Sequence, residues 1–164
     1  MDTTLQIVVD GLGLMIYSPW ALAHVADDED YFSSYFERDE DVAEHVRACS
    51  VATFCTGSPG TYVVRCTTDL PKVNAPAFDN SIRLGLEVRD ETACIRDVYD
   101  LMEWSADCPA DQQLRLRDGY YRLTVSSRRP ESGITGDIQE VLVLFEPWDK
   151  RPGLAWDGVP SLLV

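Results

Sequence analysis

Ile82-Arg83-Leu84-Gly85-Leu86-Glu87-Val88-Arg89 alternates aliphatic residues with charged or small ones at every step. A period of two belongs to a β-strand with one face on a core and the other in water. Tyr62, Val64 and Cys66 repeat that spacing along 61–67, and Tyr121, Leu123 and Val125 repeat it along 120–126. Residues 5–9, 12–17, 51–56, 93–98 and 114–117 are short β-like runs. Residues 138–145 are the most apolar, which reads as a central strand stopped by Pro147. The runs are separated by turn signals at Asp10-Gly11, Gly57-Ser58-Pro59-Gly60, 90–92 and Asp118-Gly119, each read as the tip of a hairpin. There is no βαβ rhythm and no internal repeat. The expectation is a mainly β protein, an antiparallel β-sandwich, with 1–164 as a single domain.

The segments between strands fit that reading. Residues 70–79 hold two prolines and read as a loop, and 128–136 are rich in Gly, Pro and Ser. Residues 99–113 read as irregular, with a short helical turn near Trp104. Residues 147–164 form an irregular tail anchored by Trp148, Trp156, Val159 and Leu162, with Pro152 and Pro160 opposing one regular helix.

The charge is concentrated in one place. The chain has 164 residues and a net charge of -14, with 45% hydrophobic residues, enough for a real core. Residues 27–44 contain nine carboxylates and one arginine, so about -8 of the net charge lies in 18 positions. The acids are Asp27, Asp28, Glu29, Asp30, Glu37, Asp39, Glu40, Asp41 and Glu44. Tyr31, Phe32, Tyr35 and Phe36 lie among them at a spacing that puts all four rings on one helical face. Asp39 reads as the N-cap of a second helix, with Val42, Val46 and Cys49 as its inward stripe and Arg47 near its end. One or two short helices are therefore expected near 28–49, as an acidic insertion (27–49) after the first hairpin. Carboxylates facing out, with Phe32 and Phe36 facing in, would make an ordered anionic surface for a basic partner, with Tyr31 and Tyr35 as candidate anchors.

Other chemistry has little footing. Binding to nucleic acid or an anionic membrane needs Lys and Arg, and this balance opposes both. No segment has the apolar length to span a bilayer, and the N-terminus lacks a basic start. Two histidines 21 residues apart and no C-x-x-C pair leave no metal site to name, and no cofactor is expected. Cys49, Cys55, Cys66, Cys94 and Cys108 read as reduced, mostly buried thiols of a cytoplasmic protein. Cys49 or Cys55 meeting His45 is the one nucleophile–base pairing to weigh, and a structural thiol is the simpler reading. No catalytic residue is assigned.

Leu116-Arg117-Asp118-Gly119-Tyr120-Tyr121-Arg122-Leu123, with the strands around it from 51 to 146, resembles the competence protein J family. These are small bacterial β-sandwich proteins that inhibit a partner DNA-entry nuclease. The chain is also similar in character to bacterial toxin immunity proteins. These resemblances imply inhibition by occlusion. The reading is a non-catalytic, acidic inhibitor of a basic protein, a toxin effector met in the cytoplasm, whose active site it covers. Two alternatives stay open: a small hydrolase with an unrecognised acid–base pair, and a structural or ligand-binding sandwich subunit.

Overall fold

The computed structural model describes residues 1–69, 78–154, 156 and 158–163. In chain order its elements are β1 (Asp2–Val9), β2 (Gly13–Tyr17), α1 (Tyr31–Tyr35), α2 (Asp39–Ala48), β3 (Val51–Cys55), β4 (Gly60–Thr67), β5 (Asn80–Val88), β6 (Thr92–Asp97), β7 (Gln113–Arg115), β8 (Gly119–Ser127) and β9 (Gln139–Trp148). Short 3-10 turns at Pro19–Leu22, Val98–Met102 and Ala110–Gln112 fill the connections. The loop expected at 70–79 lies largely outside the described residues.

Two sheets pack together, one of order β1-β4-β9-β8-β5 and one of order β3-β2-β6-β7. The mainly β sandwich with two short helices is thus what the chain forms. Of the run 138–145, residues 139–145 lie in β9, the middle strand of the larger sheet, as its composition implied, while Ile138 stays outside the strand and exposed. Phe145 of that strand is fully buried and meets Tyr121 edge-on at 6.2 Å. All strand pairs are antiparallel except β4 with β9. Those two strands are far apart in sequence, so no tight turn dictates their direction.

The expected hairpins at Asp10-Gly11, 57–60 and Asp118-Gly119 do not form. Each of these short connections passes the chain from one sheet to the other, and β1 pairs with β4 while β2 pairs with β3 and β6. The turn after β5 begins as a hairpin, with Asp90 and Glu91 at φ 58° and 53° and an Arg89–Thr92 bridge. The strands then part, β5 to β8 and β6 to β2 and β7. Burial supplies the reason. β1 alternates between exposed and buried residues, whereas β2 is buried at every position. Neighbours in one sheet share the same two environments, so strands with different patterns belong to different sheets. The helical insertion accordingly joins β2 to β3 within the smaller sheet, and does not follow a hairpin.

Two further expectations shift. β5 has a wet face only in its first half, because Glu87 is buried beside the α2–β3 junction and its N–H donates to the Cys49 carbonyl at 2.7 Å. That contact also occupies the open edge of the sheet. β9 runs through Pro147 to Trp148, since β4 pairs only as far as Leu144 and the missing N–H faces no neighbour there. In the tail, Leu162 and Trp156 do act as anchors. Leu162 is buried, its N–H donates to the Cys55 carbonyl at 3.0 Å, and the Trp156 indole donates to the Arg83 carbonyl at 3.1 Å. Trp148 and Val159 are largely exposed instead.

The 56–59 crossing depends on a glycine. Gly60 has φ 151°, and a Cβ there would run into the Gly136 carbonyl that accepts from Thr61 N–H at 2.8 Å. Gly60→Ala is expected to cost about 2–3 kcal/mol, read as a lower urea midpoint at unchanged slope.

Candidate functional site

The acidic tract is built on α1 and α2. The Asp30 carboxylate caps α1 by accepting from Ser33 N–H at 3.0 Å, and that bond holds its carboxyl below the usual range. Tyr31 and Phe36 are buried, and Val42, Ala43 and Val46 form the inward stripe of α2. Arg38, not Asp39, is the N-cap position, so Asp39, Glu40 and Asp41 all lie in the first turn. Arg47 complements the other end, where Cys49 closes the helix in a left-handed conformation.

His45 joins the helices. One ring nitrogen, Nδ1, donates to the Asp41 carbonyl at 2.7 Å, and Nε2 accepts from the Tyr31 hydroxyl at 3.0 Å. This is a neutral imidazole, and burial holds its pKa below the ordinary 6.5. The folded chain therefore resists a proton that the unfolded chain takes up. His45 contributes full stability above about pH 6.5 and loses it as pH falls towards its folded value. Urea unfolding at pH 7.5 and 5.5 is expected to show this loss, and His45→Gln is expected to flatten it.

The structure separates the nine carboxylates by job. Asp27 accepts from Ala106 N–H at 3.2 Å, Glu29 from Ala26 N–H at 3.0 Å, and Asp30 is the cap. Asp41 forms a two-pronged pair with Arg38 at 3.0 and 2.8 Å, and the guanidinium lowers its pKa. Asp28, Glu37, Asp39, Glu40 and Glu44 are exposed, and among the described residues their carboxylates make no hydrogen bond or ion pair. Of the two candidate anchors, Tyr35 is 54% exposed. Tyr31 is 6% exposed and is committed to His45, so it presents no ring to a partner.

A second acidic segment lies against the first. Asp28 N–H donates to the Trp104 carbonyl at 2.7 Å, and Trp104 N–H donates to the Glu29 carbonyl at 3.1 Å. These bonds bring 103–111 beside 27–29, and Glu103, Asp107 and Asp111 are exposed there. From sequence this stretch read only as irregular. The signal was five acids and no base between 97 and 111.

Between α1–α2 and the edge of the smaller sheet lies an apolar groove of about 200 Å³. Phe32 and Phe36 from α1, Val42 from α2, and Phe54, Val98 and Tyr99 from the smaller sheet and its flank form its walls. Glu37 lies on its margin, and Leu12 and Val159 reach it from the crossing and the tail. Leu12, Tyr99 and Val159 are 50%, 41% and 44% exposed, an unusual gathering of solvent-facing apolar groups. The groove is smaller than typical small-molecule pockets and suits an inserted side chain better than a whole ligand.

The cysteine–His45 pairing weighed from the sequence does not form among the described residues. Both His45 nitrogens are engaged by Asp41 and Tyr31, while the Cys49 thiol faces the Arg47 and Pro152 carbonyls. Cys55 lines the groove instead. No helix among the described residues is long and apolar enough to cross a membrane.

No family model matches the sequence, and no curated protein matches it. Solved structures do share the fold. One, described as "Crocagin biosynthetic gene J", superposes with a TM-score of 0.55 at 10% identity, over 88% of this chain and 97% of that one. Another is ComJ from Bacillus subtilis, described as an inhibitor of the DNA degrading activity of NucA. It superposes with a TM-score of 0.51 at 10% identity, over 89% of this chain and 96% of ComJ. The likeness is one of fold, and it extends beyond the 51–146 stretch in which the sequence resembles the competence protein J family.

Proposed function

We propose that this chain is a non-catalytic protein inhibitor that binds a cationic protein and covers its active site. The observation that carries this reading is the set of unpaired, exposed carboxylates beside an apolar groove. Asp28, Glu37, Asp39, Glu40 and Glu44, with Glu103, Asp107 and Asp111, steer and orient the partner. The groove between Phe32, Val42 and Tyr99 then takes an apolar side chain flanked by Lys or Arg, and Tyr35 adds an exposed ring to the acidic surface. Asp27, Glu29, Asp30 and Asp41 add to the negative field while holding the surface in shape, and Tyr31 acts from beneath it.

The resemblance to ComJ, an inhibitor of a nuclease, supports a nuclease as the partner. The acidic surface is complementary to the cationic groove in which a nuclease holds phosphates. A toxin nuclease neutralised in the cytoplasm by a tight binary complex is the specific form of this proposal, with no cofactor or metal in the inhibitor. The test is to capture the partner with the tagged chain, then assay the partner's DNA- and RNA-cleaving activity against increasing inhibitor. Activity that falls to zero at an equimolar ratio supports the reading. A captured protein whose activity is unchanged by saturating inhibitor overturns it.

A further inference from the structure

A second cavity, of about 380 Å³, lies where the ends of β5, β8 and β9 meet the tail. Its volume falls at the small end of the range that ligand pockets occupy. Ser127 at the end of β8 and Gln139 at the start of β9 line it, and they are 3% and 8% exposed. Among the described residues the Ser127 hydroxyl has no hydrogen-bond partner. Gln139 Oε1 accepts from Gly136 N–H at 3.0 Å, which leaves the Nε2 amide of the same side chain unpartnered. Among the described residues only the Trp104 indole is both unpartnered and wholly sealed, so these two groups reach the cavity. Buried polar groups find partners in native proteins, and here what fills the cavity must supply them.

Two opposite charges flank these groups. Asp79 Oδ2 accepts from the Arg129 backbone N–H at 2.7 Å, so both residues stand side by side in the lining. Among the described residues neither side chain makes an ion pair. Asn80 Nδ2 donates to the Leu162 carbonyl at 2.8 Å, which leaves Oδ1 as an acceptor and fixes Leu162, beside Leu163, as an apolar wall. We propose that this cavity binds a small zwitterion, an α-amino acid with an apolar side chain. The site requires no partner protein and stands independently of the inhibitor reading. Arg129, the Ser127 hydroxyl and Gln139 Nε2 donate to the α-carboxylate, while Asp79 and Asn80 Oδ1 accept from the α-ammonium. The side chain lies against Leu162 and Leu163. One acid and one base leave no net charge, so Asp79 repels a lone anion such as phosphate and Arg129 repels a lone cation. A molecule carrying both signs on one carbon satisfies both.

An occupant also steadies the tail. Leu162 N–H donates to the Cys55 carbonyl at 3.0 Å, and a ligand resting on Leu162 holds that bond closed. The test titrates the full chain with L-leucine, L-methionine and L-valine, read by NMR of the Asn80 and Gln139 side-chain amides. The expected result is a saturable shift of both amides with at least one of the three, and slower hydrogen exchange at Leu162. Isocaproate, which lacks the ammonium, and isopentylamine, which lacks the carboxylate, should bind at least about tenfold more weakly than leucine. Arg129→Gln and Asp79→Asn, at exposed positions, should weaken binding by about tenfold with the fold kept, since Asn retains the acceptor for Arg129 N–H. Ser127→Ala removes a hydroxyl that bonds to nothing in the described chain, so it should weaken leucine binding without lowering the urea midpoint. No shift with any of the three at about 20 mM would overturn the proposal and leave a cavity that holds water only, since even millimolar affinity saturates there. Shifts of the same size with isocaproate or inorganic phosphate would overturn it in favour of a plain anion site.

Discussion

Replacing Asp28, Glu37, Glu40 and Glu44 by lysine is expected to slow association with the captured partner by roughly 100-fold while leaving the fold intact. Each reversal changes the charge by two, so the four together move the net charge from -14 to about -6. The positions are chosen because they are exposed and their carboxylates make no hydrogen bond or ion pair among the described residues. Asp30 and Asp41 are left alone, since one caps α1 and the other pairs with Arg38. Stopped-flow association and circular dichroism separate the two effects. An unchanged on-rate in a folded variant would place the interface elsewhere on the molecule.

The largest loss of stability from a single polar residue is expected at Asp97. This carboxylate, 7% exposed, accepts from the backbone N–H groups of Asp10 at 2.6 Å, Gly11 at 3.0 Å and Tyr99 at 3.0 Å. It thereby fastens the β1–β2 crossing to the end of β6. Asp97→Ala strands donors that water reaches poorly and is expected to cost roughly 3 kcal/mol. Leu12 and Tyr99 line the groove on either side of this clamp, so partner binding should weaken along with stability. Urea titration, together with hydrogen exchange at Asp10, Gly11 and Tyr99, measures both. Asp97→Asn keeps one acceptor oxygen and is expected to fall between the two.

The strands were legible because period-two alternation is a local property, plain in 82–88 and 120–126. Their partners were not. A turn such as Asp10-Gly11 looks the same whether the chain folds back beside itself or arches to a facing sheet. The information that decides it lies in the flanks, where alternating β1 adjoins uniformly apolar 13–17. The acidic helices were legible from ring spacing and the apolar stripe of 42–46, though the cap of the second was read one residue late, and the placement of Phe36 and Val42 follows from the same periodicity. Tyr31 is different: its ring packs between His24 and His45 and bonds to the latter, 14 residues away, which local spacing does not contain. The contribution of 103–111 to the surface also depends on long-range backbone bonds to 28 and 29, and the groove on walls drawn from several elements.

The ionic-strength dependence of association tests the central claim most directly. Exposed charges are screened within about 8 Å at 0.15 M salt and about 3 Å at 1 M. The on-rate of the unaltered chain with its captured partner should therefore fall steeply between 0.05 and about 0.5 M salt, and the lysine variant should show a much shallower slope. An on-rate that stays level across this range in the unaltered chain would contradict an interface built on the carboxylates of 27–44.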